Sequence, residues 1–145
     1  MMLSIRPEHA RDILDGVKTV ELRRRFPDNA AAMWLLLYAS SPTRALLGAA
    51  NIQRVHRLPL AQLLRTYHSA ACVSKQKFKE YFAGRNEGFA LVLSATARLQ
   101  KPIPLEDLRA VYNLDPVLSY RWICRERAKL LSDCGFSGMG KFNRE

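Results

Sequence analysis

No stretch of this sequence is long and apolar enough to cross a membrane as a helix. The longest apolar stretch, residues 30–39, is far shorter than the ~20 residues that span a bilayer. The first residues also lack the basic-then-apolar layout of a signal peptide. We therefore expect a cytoplasmic protein that has no membrane partner.

Cysteine and histidine are scarce, and neither shows the spacing of a metal site. The cysteines contain no C-x-x-C pair and leave an odd one over, which argues against a zinc module and a disulfide framework. The histidines share no ligand spacing with one another or with a cysteine. We expect reduced, partly buried thiols and no metal or cofactor. The residues concerned are Cys72, Cys124, Cys134, His9, His56 and His68.

Acidic residues are few compared with basic ones. The 13 Asp and Glu residues are outnumbered by 23 Lys and Arg residues, which gives a formal net charge of +10 and a pI near 10.0. Such an excess attracts anions whatever the fold. Nucleic acid is the expected class of partner, because no segment shows the basic amphipathic pattern with exposed aromatic residues that binds an anionic membrane.

The remaining composition is ordinary for a folded protein. Hydrophobic residues make up 48% of the 145 residues and charged residues 25%, which is close to average globular usage. A chain of this length buries roughly two thirds of its unfolded surface. We expect one domain over residues 1–145, and the sequence leaves its oligomeric state open.

The stretch DGVKTVELRRRF, residues 15–26, follows a predicted helix and changes its period. Pro7 suits the first turn of a helix that ends near Asp15, and Gly16 suits its left-handed cap. A period of two after Gly16 predicts a strand. One predicted face holds Thr19, Glu21, Arg23 and Arg25, and the other holds Val20, Leu22 and Arg24.

The rest of the chain alternates apolar strand-like runs with segments of helical spacing. This mix predicts an α+β fold with a small curved or barrel-like sheet. The Lys-Pro-Ile-Pro sequence at 101–104 is expected to end the last of these strands. Predicted strands cover 33–39, 45–55 and 89–99, and predicted helices cover 59–70, 74–82, 105–111 and 118–132.

A motif in the first 24 residues resembles that of the ASCH domain family, which is related to PUA domains. Its members here are Ser4, Ile5, Arg6, Pro7, Ala10, Ile13, Leu14, Gly16, Lys18, Glu21, Arg23 and Arg24. The resemblance implies a PUA-like small β-barrel with helices packed around it. It also implies a cleft near the motif that binds RNA or modified nucleotides.

One branch of that family comprises amidohydrolases that act on acetylated cytidine with a Lys, a Thr and a Glu. Lys18 matches the lysine of that branch, but Glu21 stands where the branch has its threonine. A carboxylate that attacks an amide would form a mixed anhydride, which is a far less useful intermediate than the ester formed by a threonine hydroxyl. The amidohydrolase activity of that branch is therefore not expected for this sequence. Thr19 lies nearby but two residues out of register.

Two functions follow from these patterns. The first is an RNA- or modified-nucleotide-binding protein in which Glu21 and Arg23 select the ligand, although Glu21 pairing only with an arginine is the structural alternative. The second is an amidohydrolase or ribonuclease in which Lys18 and Glu21 form an acid/base pair. The predicted ligand-binding residues are Lys18, Glu21, Arg23, Arg24, Arg25, Tyr38, Ser40 and Ser41.

Several other residues have both a binding and a structural interpretation. Tyr38 and Trp34 lie in an apolar strand, where such residues are usually core, but Tyr38 at the strand end is able to stack a base. Scattered basic side chains either extend a phosphate track or are simply solvated. These are Arg54, Arg57 and Arg65, together with Arg121, Arg125, Arg127 and Lys129 of the predicted last helix.

Overall fold

One curled sheet of six strands organises the fold. The structure is a computed structural model, and it describes residues 1–123 and 128–140. The strands are β1 (Met2–Ile5), β2 (Val20–Arg23), β3 (Trp34–Ala39), β4 (Ala45–Pro59), β5 (Glu87–Pro104) and β6 (Tyr120–Arg121). The helices are α1 (Pro7–Leu14), α2 (Leu60–Tyr67), α3 (Lys75–Tyr81), α4 (Leu105–Tyr112) and α5 (Ala128–Asp133).

The sheet is mixed and runs in the order β2-β5-β4-β3-β1-β6. Only the β1–β3 pair is parallel among the strand pairs of the described chain. The long strands β4 and β5 contain register shifts that bend the sheet, as β-bulges do. The result is a curled half-barrel with helices around it, which confirms the predicted α+β fold with a PUA-like small barrel.

Helix α1 forms where the sequence predicts it. Pro7 occupies its first turn, and the apolar residues at helical spacing are buried against the sheet. Gly16 has φ +77, a left-handed conformation that costs other residues strain. The chain therefore turns sharply after α1 and enters β2 at Val20, so that Thr19 and Arg25 lie outside the strand.

Strand β1 carries no clear sequence signal and was not predicted. Its residues MLSI are too few and too uniformly apolar to show a period of two. It pairs with β3, so that Met2 faces Leu36 and Ser4 faces Tyr38. Because the two faces of β1 contact two different parts of the core, both faces are apolar.

Two predictions of secondary structure are wrong. Residues 101–104 do not end β5, which continues to Pro104. This part of β5 pairs with the first residues of β4. Because no second strand of the described chain pairs with it there, the missing N–H groups of its prolines cost no hydrogen bond of the sheet. The predicted last helix is interrupted, since 120–121 form β6 beside β1 and α5 begins at Ala128. Part of that helix, 124–127, lies outside the described residues.

Three buried apolar clusters fix which way each strand faces. The first lies inside the curl of the sheet under α1, the second lies under α4 and α5, and the third lies between β2 and the helices α2 and α3. Val20 and Leu22 belong to the third cluster. Glu21 and Arg23 alternate with them and therefore face the inside of the curl, where their partners on β5 are Leu91 and Phe89.

Candidate functional site

Lys18 and Glu21 form a buried ion pair inside the curl of the sheet. Their exposed fractions are 3% and 5%. Lys18 Nζ lies 2.6 Å from the carbonyl oxygen of Ala71 and 3.3 Å from Glu21 Oε2. Lys18 is therefore held in place, because a backbone carbonyl and a carboxylate of the protein both contact its ammonium group.

Arg23 extends this pair into a row of three charges. Its Nη1 lies 3.4 Å from Glu21 Oε1 and donates to the carbonyl of Ser4 at 3.3 Å. Its Nη2 donates to Ser119 Oγ at 3.0 Å. Breaking a buried pair by removing one partner costs roughly 3–5 kcal/mol, because the other charge stays buried and unpaired. The row therefore holds these side chains in a fixed geometry.

The position of Arg23 explains how the curl is closed. β2 is one edge of the sheet, whereas β6 is the other and β1 is its neighbour. Arg23 projects from β2 to Ser4 on β1 and to Ser119 just before β6. A single guanidinium thus joins the two ends of the sheet across the gap that no strand pairing closes. Its side chain is 11% exposed, so this gap is where the charged row meets the surface.

His9 on α1 adds a neutral group to the row. Its Nδ1 is buried and has no hydrogen-bond partner in the described structure. Burial lowers the pKa of His9 from 6.5, nearby Lys18 lowers it further, and Glu21 acts in the opposite direction. The imidazole is therefore uncharged at neutral pH. Sequence reasoning missed this residue, because its link to Lys18 and Glu21 exists only after α1 folds onto the sheet.

Tyr38 lies on the other face of the sheet, in the second cluster. It is 6% exposed, which agrees with its interpretation as core. Burial raises the pKa of its hydroxyl, and Arg44 and Arg109 partly oppose this effect. The hydroxyl therefore stays protonated at neutral pH. It lies near the guanidinium groups of Arg44 and Arg109.

The sheet register connects Tyr38 to Ser119. Ser4 is the partner of Tyr38 in the β1–β3 pair, and the N–H of Ser4 donates to the carbonyl of Ser119 at 2.8 Å. The three residues therefore lie side by side across neighbouring strands. Arg23, which contacts Ser4 and Ser119, ends this line on the side of the buried charges.

The two serines after β3 have different surroundings. The N–H of Ser40 donates to the carbonyl of Ile5 at 2.8 Å, which fixes the end of β3 to the end of β1. Ser41 is exposed and precedes Pro42 in a cis peptide bond. Both residues lie in the turn that leads to Arg44, on the same side of the sheet end as the line that includes Ser119.

The structure does not bring Arg24 and Arg25 to this place. Arg24 is exposed and lies 5.1 Å from the ring centre of Tyr81, which belongs to α3. It lines a shallow pocket with residues 84–87, away from Ser119. Arg25 is exposed and follows the end of β2. The predicted cleft therefore divides into a buried row around Arg23, a surface line through Ser119 to Tyr38, and two separate arginines.

The described residues contain no group of three or more His, Cys, Asp or Glu side chains placed to hold a metal ion. His56 Nδ1 is hydrogen-bonded to the hydroxyl of Tyr67, and His68 Nδ1 lies 2.8 Å from the carbonyl oxygen of Leu64. These two histidines therefore have packing roles. Within residues 1–123 and 128–140, no helix has the length and apolar character to cross a membrane.

Comparison with known sequences gives one family match and several relatives. A family model described as a domain of unknown function (DUF365) matches residues 5–112. The chain is 30% identical over 131 residues to the ASCH domain-containing ribonuclease of Zymomonas mobilis, and the match covers 90% of this chain and 88% of that protein. It is 25% identical over 108 residues to the large ribosomal subunit protein uL22 of Ureaplasma parvum, which covers 74% of this chain but 34% of that protein.

Comparison with solved structures gives the same fold. The crystal structure of the ASCH protein from Zymomonas mobilis has a TM-score of 0.84 and 30% identity, and the match covers 91% of this chain and 92% of that chain. Two variants of that protein, one with a serine replaced by alanine and one with a tyrosine replaced by phenylalanine, have the same TM-score of 0.84 at 28% and 29% identity. They cover 91% of this chain and 93% and 95% of theirs. The chain belongs to the ASCH domain family.

Proposed function

We propose that this protein binds RNA on the surface that runs from Arg23 through Ser119 to Tyr38. The observation that carries the proposal is the similarity to a protein named as a ribonuclease over nine tenths of the chain. The net charge of +10 supports it, because neutralising phosphates releases counterions and makes binding favourable.

The surface offers guanidinium groups at both ends. Arg23 is anchored at one end, and Arg44 and Arg109 lie near Tyr38 at the other. Guanidinium binds phosphate oxygens through two parallel hydrogen bonds, which fixes the orientation of the phosphate. Hydroxyl groups of Ser119 and Tyr38 lie between these cations and are suited to contact phosphate or ribose oxygens.

Arg44 is held in a conformation that few residues other than glycine adopt. Its φ is 50, which costs a side chain of this size of order 1 kcal/mol. Its N–H donates to the carbonyl of Ser40 at 3.1 Å, and its carbonyl accepts from Leu105 at 2.9 Å. The backbone is fixed while the side chain is exposed. A fixed backbone at such a cost, beneath an exposed guanidinium, supports a binding role for the side chain.

In this proposal Lys18 and Glu21 position Arg23 and do not contact RNA. The ammonium and carboxylate groups are already bound to each other and to other protein groups, so a base would have to break the ion pair to reach them. Glu21 accepts from Arg23 and orients its guanidinium towards Ser119. Selectivity then comes from the shape of the surface around Arg23 and not from a free carboxylate.

The test is binding of fluorescently labelled single-stranded RNA, duplex RNA and duplex DNA, measured by fluorescence polarisation across a salt series. We expect salt-dependent binding that favours RNA. Arg44→Gln is expected to weaken it more than Arg98→Gln, a control that removes the same charge from a residue paired with Asp15 away from this surface. Equal effects of the two variants, or no binding to any of the three probes, would contradict the proposal.

RNA cleavage is a second candidate function, and the positions of two hydroxyl groups favour it. In the Zymomonas protein the replaced serine follows the replaced tyrosine by 81 positions, and Ser119 follows Tyr38 by 81 positions in this chain. We infer that Ser119 and Tyr38 correspond to those residues. Each of the two changes in the Zymomonas protein removes one hydroxyl group and leaves the rest of the side chain in place.

The surroundings of these hydroxyls suit phosphodiester chemistry. When a ribose 2′-hydroxyl attacks the adjacent phosphorus, it gives its proton to water, the bond from phosphorus to the 5′-oxygen of the next nucleotide breaks, and that oxygen takes up a proton. Negative charge develops on the phosphoryl oxygens during this exchange, and preorganised donors stabilise it. Tyr38 stays a donor at neutral pH because burial raises its pKa, and Arg23 holds Ser119 Oγ in place. Guanidinium groups beside both provide positive charge.

Cleavage is tested with end-labelled RNA separated on a denaturing gel. We expect Tyr38→Phe and Ser119→Ala to lower the cleavage rate while binding in the polarisation assay is retained. Intact RNA after incubation with the wild-type protein would leave binding as the only function. Undiminished cleavage by both variants would show that the hydroxyls have no part in it.

A further inference from the structure

We propose that the groove between the C-terminal end of α4 and β6 is a phosphate subsite, which Asp115 occupies in the absence of RNA. The inference rests on the proposed RNA binding. The groove is lined by Arg109, Asn113, Leu114, Asp115 and Arg121. It lies beside the surface from Ser119 to Tyr38, since Asp115 and Arg109 both act electrostatically on the Tyr38 hydroxyl.

Asp115 lies between two arginines. Arg109 Nε donates to Asp115 Oδ1 at 2.7 Å, and Arg121 Nη1 donates to the Asp115 carbonyl oxygen at 2.6 Å. A phosphate offers the same kind of oxygen acceptors that these two donors already use. The carboxylate and carbonyl of Asp115 therefore mark where phosphate oxygens would lie.

The ion pair in the groove is exchangeable. The side chains of Arg109 and Asp115 are 55% and 64% exposed, and exposed pairs of this kind contribute about 0–1 kcal/mol. Replacing the carboxylate by a phosphate therefore has a small cost. A phosphate also carries more acceptor oxygens than Asp115 presents to Arg109, so the exchange gains hydrogen bonds.

The backbone of the groove is fixed while its charged side chains are exposed. Asn113 ends α4 with φ 47, and its N–H donates to the carbonyl of Arg109 at 3.1 Å. The N–H of Leu114 donates to the carbonyl of Leu108 at 2.9 Å, and Leu114 is fully buried. The segment that carries Asp115 thus starts from an anchored point, which preorganises the groove for a ligand.

Apolar residues adjoin the groove in the chain. Val117 is 44% exposed and Leu118 is fully exposed, at 102%. They separate Asp115 from Ser119 in the sequence. An exposed leucine between a phosphate subsite and a ribose-contacting serine is suited to cover the sugar or base of a bound nucleotide. This combination distinguishes the groove from a simple exposed ion pair elsewhere on the surface.

The experiment compares Asp115→Asn with Asp28→Asn. Both remove one exposed carboxylate and change the net charge equally, but Asp28 only faces Arg57 at 4.0 Å. We expect Asp115→Asn to bind labelled oligouridylate severalfold more tightly than Asp28→Asn at the same salt concentration, because a neutral amide competes with phosphate for Arg109 less strongly than a carboxylate does. Arg109→Gln is expected to lower the salt slope of the wild-type protein by about 0.7, the value for one phosphate contact on a single strand. Arg98→Gln, the control, should leave the slope unchanged.

The outcomes separate this inference from the function on which it rests. If the wild-type protein binds oligouridylate but Asp115→Asn and Asp28→Asn bind alike, the subsite is refuted and RNA binding stands. If the wild-type protein binds no RNA, both fail. Isothermal titration with inorganic phosphate tests whether the groove binds a free anion. If free phosphate bound more tightly than oligouridylate, the groove would be a site for the small anion and not for RNA.

Discussion

Two of the arginine–carboxylate contacts in the described chain, those of Arg23 and of Arg109, differ in how far they are buried. Around Arg23 and Glu21 the charges are buried or, at Arg23, partly buried, and each has a protein partner. In the groove of Arg109 and Asp115 the same residue types are more than half exposed. Burial makes the first group costly to disturb, whereas solvent makes the second cheap to rearrange. The buried row therefore fixes a geometry, whereas the exposed groove is free to exchange its carboxylate for the phosphate proposed above.

The largest expected effect comes from breaking the buried row. Glu21→Ala leaves the buried Lys18 and the partly buried Arg23 without their carboxylate, so we expect the free energy of unfolding to fall by roughly 3–5 kcal/mol. Urea denaturation measures it. Glu87→Ala is the matched control, because Glu87 pairs with Arg57 at the surface and the loss of an exposed pair should change the free energy of unfolding far less. If the free energy of unfolding fell equally in the two variants, the buried ion pair would be no more important for stability than an exposed one.

The next effect is an acid-dependent loss of stability at His9. Because the folded-state pKa of His9 lies below its ordinary 6.5, the unfolded chain takes up a proton near pH 6.5 while the folded chain does not. Stability is therefore complete above pH 6.5 and falls as the pH drops through the folded pKa. His9→Gln should remove this part of the fall in urea denaturation between pH 7.5 and 5.5. An identical pH profile for both proteins would mean that His9 is not buried beside Lys18.

A smaller effect is expected at high pH, from a hydrogen bond between α4 and α5. Tyr112 of α4 donates a hydrogen bond to Asp133 of α5 at 2.9 Å, and burial followed by this bond raises the pKa of Tyr112 from 10.0 to about 12. The unfolded chain loses the proton near pH 10 while the folded chain keeps it, so stability falls as the pH rises from 10 towards 12. Tyr112→Phe should flatten this fall in thermal unfolding. A fall as steep as that of the wild-type protein would assign it to other groups.

How much of this arrangement the sequence predicts depends on the distance along the chain. The helix cap at Gly16 and the alternation that puts Glu21 and Arg23 on one face are local, and both are confirmed. The partners are not local, since Lys18 contacts Ala71 across 53 positions and Arg23 contacts Ser119 across 96 positions. No spacing rule reaches that far, so the burial of Lys18 could not be predicted.

The same reason explains the errors at the sheet edges. The short strand β1 forms because it pairs with β3 and β6, and β6 forms because it pairs with β1. Neither has a propensity signal of its own. Pro102 was interpreted as a strand breaker, but β5 continues past it because the strand has lost one neighbour there. Local composition therefore predicts the elements, and tertiary pairing decides their ends.

The smallest expected effect on stability is in the groove, and it is the sharpest test of the comparison. Arg109→Gln removes an exposed charge whose partner Asp115 returns to water, so we expect the free energy of unfolding to change by less than about 0.5 kcal/mol. Urea denaturation of Arg109→Gln beside Glu21→Ala places both regions on one scale. A loss of several kcal/mol would show that the groove is a structural ion pair like the buried row. A free energy of unfolding close to that of the wild-type protein, together with weaker RNA binding, would show that the arginine of the groove contributes to binding and not to stability. The degree of burial would then explain why arginine–carboxylate pairs stabilise the fold in one region and bind a ligand in the other.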